Sequence, residues 1–215
     1  MPMRPMPWWG VLSASCAPVL LIGGWTVAAS RQPPGYDPVV DTISALAARG
    51  AGDRWVMTGA LEGLGVCHMV TALGLRAAAA PGRLVLAGGG VATLLVAVFP
   101  QPGAGTSPQH AVAAGVAFTA LAVWPTLAAR RAMDTPVGLR PVVAGVASGL
   151  LAGAVVWFAV ELNGGTRVGF AERVAAGAQA LWPLFVAVSA SRLAKPTDRP
   201  GRERYRLPRR NIRLR

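Results

Sequence analysis

Six apolar stretches, each close to the length of a membrane crossing, divide most of this 215-residue chain. They cover about 10–30, 55–75, 84–99, 110–129, 142–162 and 170–191. A helix needs roughly 20 apolar residues to cross a ~30 Å hydrocarbon core. Backbone polar groups in hydrocarbon must be satisfied within their own segment, so stretches of this kind become helices. The fold class that follows is all-α: a polytopic six-helix transmembrane bundle. Only 14% of the residues are charged, against about 25% in soluble domains. The 26 glycines and 18 prolines lie among apolar runs, where membrane helices tolerate them. Residues 1–193 therefore read as one six-span domain, and 194–215 as a basic tail.

Breaks between the spans carry turn punctuation: PPG at 33–35, PG at 81–82, PQPG at 100–103, TP at 135–136 and NGG at 163–165. The third span is the shortest. VAAS at 27–30 offers small residues for a leader cleavage, but the preceding apolar run exceeds a typical leader core of ~7–15 residues. We read it as an uncleaved first helix. Cys16 and Cys67 fall inside spans and read as buried free thiols.

Basic residues set the orientation. With the N-terminus inside, the inside segments hold Arg4, Arg76, Arg83, Arg130, Arg131, Arg140 and the tail from Arg192, sixteen of the 21 basic residues. The outside loops hold Arg31, Arg49, Arg54, Arg167 and Arg173. Both termini are expected in the cytoplasm. The tail, including Arg199, Arg202, Arg204, Arg206, Arg209 and Arg210, suits anionic lipid headgroups at ~1 kcal/mol per basic residue. With Tyr205 its only aromatic, it lacks the interleaving expected for nucleic acid. Nearly all basic residues are Arg, with Lys195 the only lysine, a bias that suggests a GC-rich bacterial genome.

Glycines recur at GxxxG spacing in the fifth span (Gly145, Gly149, Gly153) and the second (Gly59, Gly63). Such faces let helix backbones approach closely, and both are expected to pack within the chain.

The first outer loop, PGYDPVVDTISALAARG at 34–50, reads as a capped amphipathic helix at 38–49 lying on the outer surface. Asp37 would cap it with Pro38 at the first helical position. Val39, Ile43, Leu46 and Ala47 would share its apolar face, and Arg49 and Gly50 would close it. GYDPVVDTISALAARG followed by RWVMTG resembles the hallmark of a bacterial membrane family catalogued as domain of unknown function 998. Phe99–Pro100, His110 opening the fourth span and GFAERV at 169–174 resemble it too. An acidic residue often follows the Phe–Pro pair in that pattern, where this chain has Gln101. The resemblance spans about 10–193 and implies a six-helix bundle of unassigned activity in the cytoplasmic membrane.

Several polar residues share the outer side: Tyr36, Asp37, Asp41, Thr42, Ser44, His110, Glu161, Asn163, Arg167, Glu172 and Arg173. Of these, Asp41, Ser44, His110, Glu161 and Glu172 are the candidates for chemistry. Carboxylates and a histidine serve general acid–base work, and a serine becomes a nucleophile when a base lies in hydrogen-bond reach. A divalent metal is expected only if they converge, and no other cofactor is indicated. The plain alternative is that Glu161 and Glu172 pair with Arg167 and Arg173, tying the last two spans together. Within the second span, Glu62 and His68 are ionisable groups at membrane depth.

Three readings follow. The first is a binding or structural membrane component with an outer polar cluster. The second is a hydrolase or transferase acting on a lipid at the outer leaflet. The third is a small-solute or proton-coupled transporter using Glu62.

Overall fold

The computed structural model describes residues 5–103, 105 and 107–192, and is helical throughout. The basic tail expected at 194–215 lies outside the described residues. Six helices are long and apolar enough to cross a membrane: α1 (Trp8–Ala29), α3 (Trp55–Gly74), α4 (Ala80–Val98), α5 (Pro108–Ala128), α6 (Pro141–Glu161) and α7 (Val168–Ser191). A one-turn helix, α2 (Ile43–Leu46), lies in the first long loop. A 3₁₀ turn at Val137–Leu139 precedes α6.

The third span begins four residues earlier than expected, at Ala80. Pro81 sits in the first turn of α4, where a proline loses no intrahelical hydrogen bond. The PG pair that reads as a break is therefore the helix start.

From α3 onward, short loops keep sequence neighbours adjacent. The six long helices form a ring in chain order, closed by α7 against α1, and α7 also touches α3 and α5. The N–H of Met6 donates to Ala190 O at 3.5 Å, so both termini emerge at one end of the bundle. At that end a core of Leu75, Leu86, Leu121, Trp124, Leu139 and Val186 is buried. A second core gathers Leu21, Ile43, Leu46, Met57, Leu61 and Leu64 toward the opposite end. The helix ends at the terminal face close on each other. Arg83 Nε donates to Ala72 O at 2.8 Å, and Ala79 N–H donates to Ala128 O at 3.0 Å.

Van der Waals packing at small residues holds such a bundle, because lipid supplies no hydrophobic drive between helices. A Cβ on Gly65 would stand 2.7 Å from Gly90 O, and one on Gly90 would stand 2.6 Å from Gly65 O. Here α3 and α4 meet backbone to backbone. Gly63 takes Leu20 of α1, whose Cδ1 lies 2.8 Å from a would-be Cβ. The tandem motif of α6 behaves otherwise. Gly145, Gly149, Gly153 and also Gly59 have nothing within 4 Å of a would-be Cβ. Among the described residues the expected packing within the chain is absent there, because α6 turns Ala144, Ala147, Leu151 and Phe158 inward instead.

A matched pair of substitutions checks this account. Gly65→Ala should lower the thermal unfolding temperature in detergent, with overpacking costing about 1–3 kcal/mol. Gly149→Ala should leave that temperature unchanged or slightly raised. Equal effects of the two would overturn the assignment.

Candidate functional site

At the end of the bundle opposite the termini, the first loop docks onto the start of α7. The loop folds as a tight turn and not as the helix expected over 38–49. Asp37 Oδ1 accepts from Val39 N–H at 2.8 Å, and Asp41 Oδ2 accepts from Asp37 N–H at 2.8 Å. Asp37 thus caps a turn at 38–40 as expected, but that turn is not continued into a helix. Thr42 caps α2 in its place, its Oγ1 accepting from Ala45 N–H at 3.0 Å. Val39 and Val40 are left exposed, while Ile43, Leu46 and Ala47 are buried.

This turn presents its carbonyls to α7, whose first N–H groups have no partner within the helix. Gly169 N–H donates to Val40 O at 3.2 Å and Phe170 N–H to Val39 O at 3.0 Å. Arg173 extends the clasp, with Nη1 donating to Pro38 O at 2.8 Å and Asp41 O at 2.8 Å. Its Nη2 donates to the Tyr36 hydroxyl. Gly169 is required, because a Cβ there would overlap the carbonyls of Asp41 and Pro38. Burial pushes the Tyr36 phenol above its ordinary 10.0, and the Arg173 guanidinium pulls more weakly the other way.

Docking brings three of the five candidate residues together. Glu172, 4% exposed, accepts from the Ile43 N–H through Oε2, and its Oε1 lies 3.1 Å from Ser44 Oγ. His110, 3% exposed, has Nε2 3.1 Å from the same Ser44 Oγ. Its Nδ1 donates to Phe99 O at 2.9 Å, satisfying a carbonyl orphaned at the end of α4. The Phe99 contact fixes the ring and leaves Nε2 facing the serine. Ser107 caps α5 by accepting from His110 N–H at 3.2 Å.

The His110–Ser44–Glu172 chain has two links, and each needs one proton. The serine supplies one, and the imidazole or the carboxyl supplies the other. Both complete arrangements are neutral overall: imidazolium with carboxylate, or imidazole with carboxylic acid.

The other two candidates lie elsewhere. The Asp41 carboxylate closes the Asp37 turn, and only the Asp41 carbonyl reaches Arg173. Glu161 accepts from Trp157 Nε1 at 3.2 Å and from Arg167 N–H at 2.8 Å, ordering the α6–α7 loop. The ion pairs expected between these acids and Arg167 or Arg173 do not form. Backbone groups take their place, and among the described residues the one salt bridge joins Arg31 to Asp53 at 3.0 Å. Among the described residues, no three His, Cys, Asp or Glu side chains group to hold a metal.

Two cavities meet the cluster. A groove of about 350 Å³ between α5 and α6 is lined by Ser44, His110, Glu172, Phe118, Val155 and Phe158. A smaller internal cavity of about 60 Å³ lies on the other side and reaches His68. Glu62 is exposed on α3 and lines neither of them. Cys16 and Cys67 are free thiols. Reading by residue type missed Arg173 as the hub of the clasp and Phe99 O as the anchor of His110. The hub was signalled by GFAERV, where an arginine directly follows Glu172.

The clasp makes a pH prediction. A phenol whose value is raised by docking holds its proton longer in the docked form. Docking is therefore at full strength below pH 10 and weakens as pH rises through the raised value. The near-ultraviolet phenolate titration of Tyr36, taken as the difference from Tyr36→Phe, should lie above 10.0 in the wild type and return toward it in Gly169→Ala. A Tyr36 titration unaffected by Gly169→Ala would contradict the clasp.

No curated protein and no solved structure matches the chain. A family profile described as "Protein of unknown function (DUF998)" matches residues 15–189. With its six apolar helices and its loop locked onto α7, the chain is a multi-pass membrane protein belonging to that family.

Proposed function

We propose that this protein is a membrane-embedded hydrolase or transferase that acts on an acyl ester of a membrane lipid, with Ser44 as nucleophile and His110 as general base. One observation carries the reading: Ser44 Oγ lies 3.1 Å from His110 Nε2, on the wall of an apolar groove between two spans. A nucleophile, a base in reach and a third group orienting the base are the parts that covalent catalysis needs. Phe99 O is the orienting group.

The steps follow from those contacts. A lipid enters sideways between α5 and α6, its acyl chain against Phe118, Val155 and Phe158. Ser44 Oγ bonds to the ester carbonyl carbon as its proton passes to His110 Nε2. The resulting imidazolium is held through Nδ1–H by Phe99 O and returns the proton to the departing alcohol. Glu172, in its protonated form, is the donor nearest the developing oxyanion. The α2 N–H groups that would otherwise serve are taken, since Glu172 accepts from Ile43 and Thr42 from Ala45. Water or a second alcohol then resolves the acyl-serine. The excess of basic residues on the side of the termini favours a cytoplasmic tail, hence a site at the outer leaflet.

A second reading, a structural lock without chemistry, is favoured by the Glu172 bond to the Ile43 N–H. In that reading the acid simply satisfies the start of α2.

A fluorophosphonate probe separates the two. The wild type in lipid nanodiscs should form an adduct on Ser44. Ser44→Ala should abolish labelling, and His110→Gln should slow it by about 10²–10⁴-fold. If Ser44 stays unlabelled while the Tyr36 titration reports a docked loop, the structural lock is correct.

A further inference from the structure

We propose that the internal cavity behind Ser44 is a water-binding site, holding a file of ordered waters that runs from Glu172 to His68. The polar groups on its wall carry the argument. Glu172 and Ser44 stand at one end, with Thr93, Gln179 and His68 further in. At 1.5 Å per residue, Glu172 is about 6 Å along α7, Gln179 about 16 Å, and His68 about 20 Å along α3. These polar groups, set in an otherwise apolar wall, thus reach over half the thickness of a ~30 Å hydrocarbon core.

His68 is 1% exposed. Its Nδ1 donates to Leu64 O at 3.3 Å, which leaves Nε2 of the neutral ring as an acceptor. That Nε2 is buried and has no partner among the described residues. An unpartnered buried acceptor is costly, and water is the usual remedy where polar neighbours and space coincide. Here both do. The cavity offers about 60 Å³, room for a few waters, and Gln179 lines it with its Nε2 donating to Phe118 O at 2.8 Å. Among the described residues the buried indole N–H groups of Trp124 and Trp182 also have no partner, but neither residue lines this cavity.

The proposal deepens the hydrolase reading and rests on it in one respect only, the use to which the water is put. An acyl-serine facing lipid on its groove side has no bulk water beside it. A water at the Ser44 end of the file adds its oxygen to the acyl carbonyl carbon. Its proton passes through His110 Nε2 to Ser44 Oγ as the acyl–serine bond breaks, and a free fatty acid leaves.

Radiolytic hydroxyl labelling of the full chain in phosphatidylcholine nanodiscs, read by mass spectrometry, tests the water itself. Radicals formed from bound water oxidise side chains beside them. His68 and Leu64 should be oxidised several-fold faster, relative to intrinsic reactivity, than Trp124, which is wholly buried away from the cavity. Gln179→Leu should lower the His68 rate. Oxidation of His68 no faster than that of Trp124 would mean a dry cavity and overturn the proposal, whatever Ser44 does with a fluorophosphonate. Labelled His68 beside an unreactive Ser44 would keep the water site and remove only the hydrolase reading.

Discussion

The start of α7 is the constraint on which the rest of the site end depends. A helix leaves its first N–H groups unsatisfied, and in or near hydrocarbon water cannot be relied on to fill them. The chain answers with its own first loop, whose carbonyls at Val39 and Val40 meet the N–H groups of Phe170 and Gly169. Arg173 collects the remaining carbonyls of the same turn. A loop bound through its backbone is held in register, and α2 follows directly from it. The position of Ser44 is set by these contacts before any partner of its side chain is considered.

Glu172 and Arg173 divide the work between neighbouring positions. Arg173 reads the carbonyls of the turn, while Glu172 reads the first N–H of α2 and the serine hydroxyl. His110 arrives from α5 and ties the serine to the end of α4 through Phe99 O. Contacts that serve stability and contacts suited to proton transfer are thus the same contacts. In a site of low dielectric each hydrogen bond is stronger and each unmade one costlier, which favours a cluster whose members satisfy one another completely.

Much of the architecture was legible in the residues. Span length and apolarity gave six helices, and an even number of crossings leaves both termini at one end, where Met6 meets Ala190. Local ambiguity defeated the rest. Asp37 followed by Pro38 reads as a helix start, and the carboxylate does accept from Val39 N–H as a cap would, but the turn is not continued and the helix begins at Ile43 behind Thr42. The glycine repeat of α6 has the spacing of a packing face, but spacing does not say which side of the helix turns inward. Residue types nominated Ser44, His110 and Glu172 along with Asp41 and Glu161. Only ring closure could select among them, because the serine lies 66 residues from the histidine and 128 from the glutamate in sequence.

Ring closure also dictates an order of assembly. As the chain emerges, α4 through α6 can settle against their predecessors by local contacts, which form early because their loops are short. The turn at 36–41 has no such option, since its carbonyls wait for Gly169, Phe170 and Arg173. Those residues belong to the sixth of the long helices. Ser44 therefore meets Glu172 only after the sixth span has entered the bilayer, and a chain that stops short of it carries a serine and a histidine but no finished site.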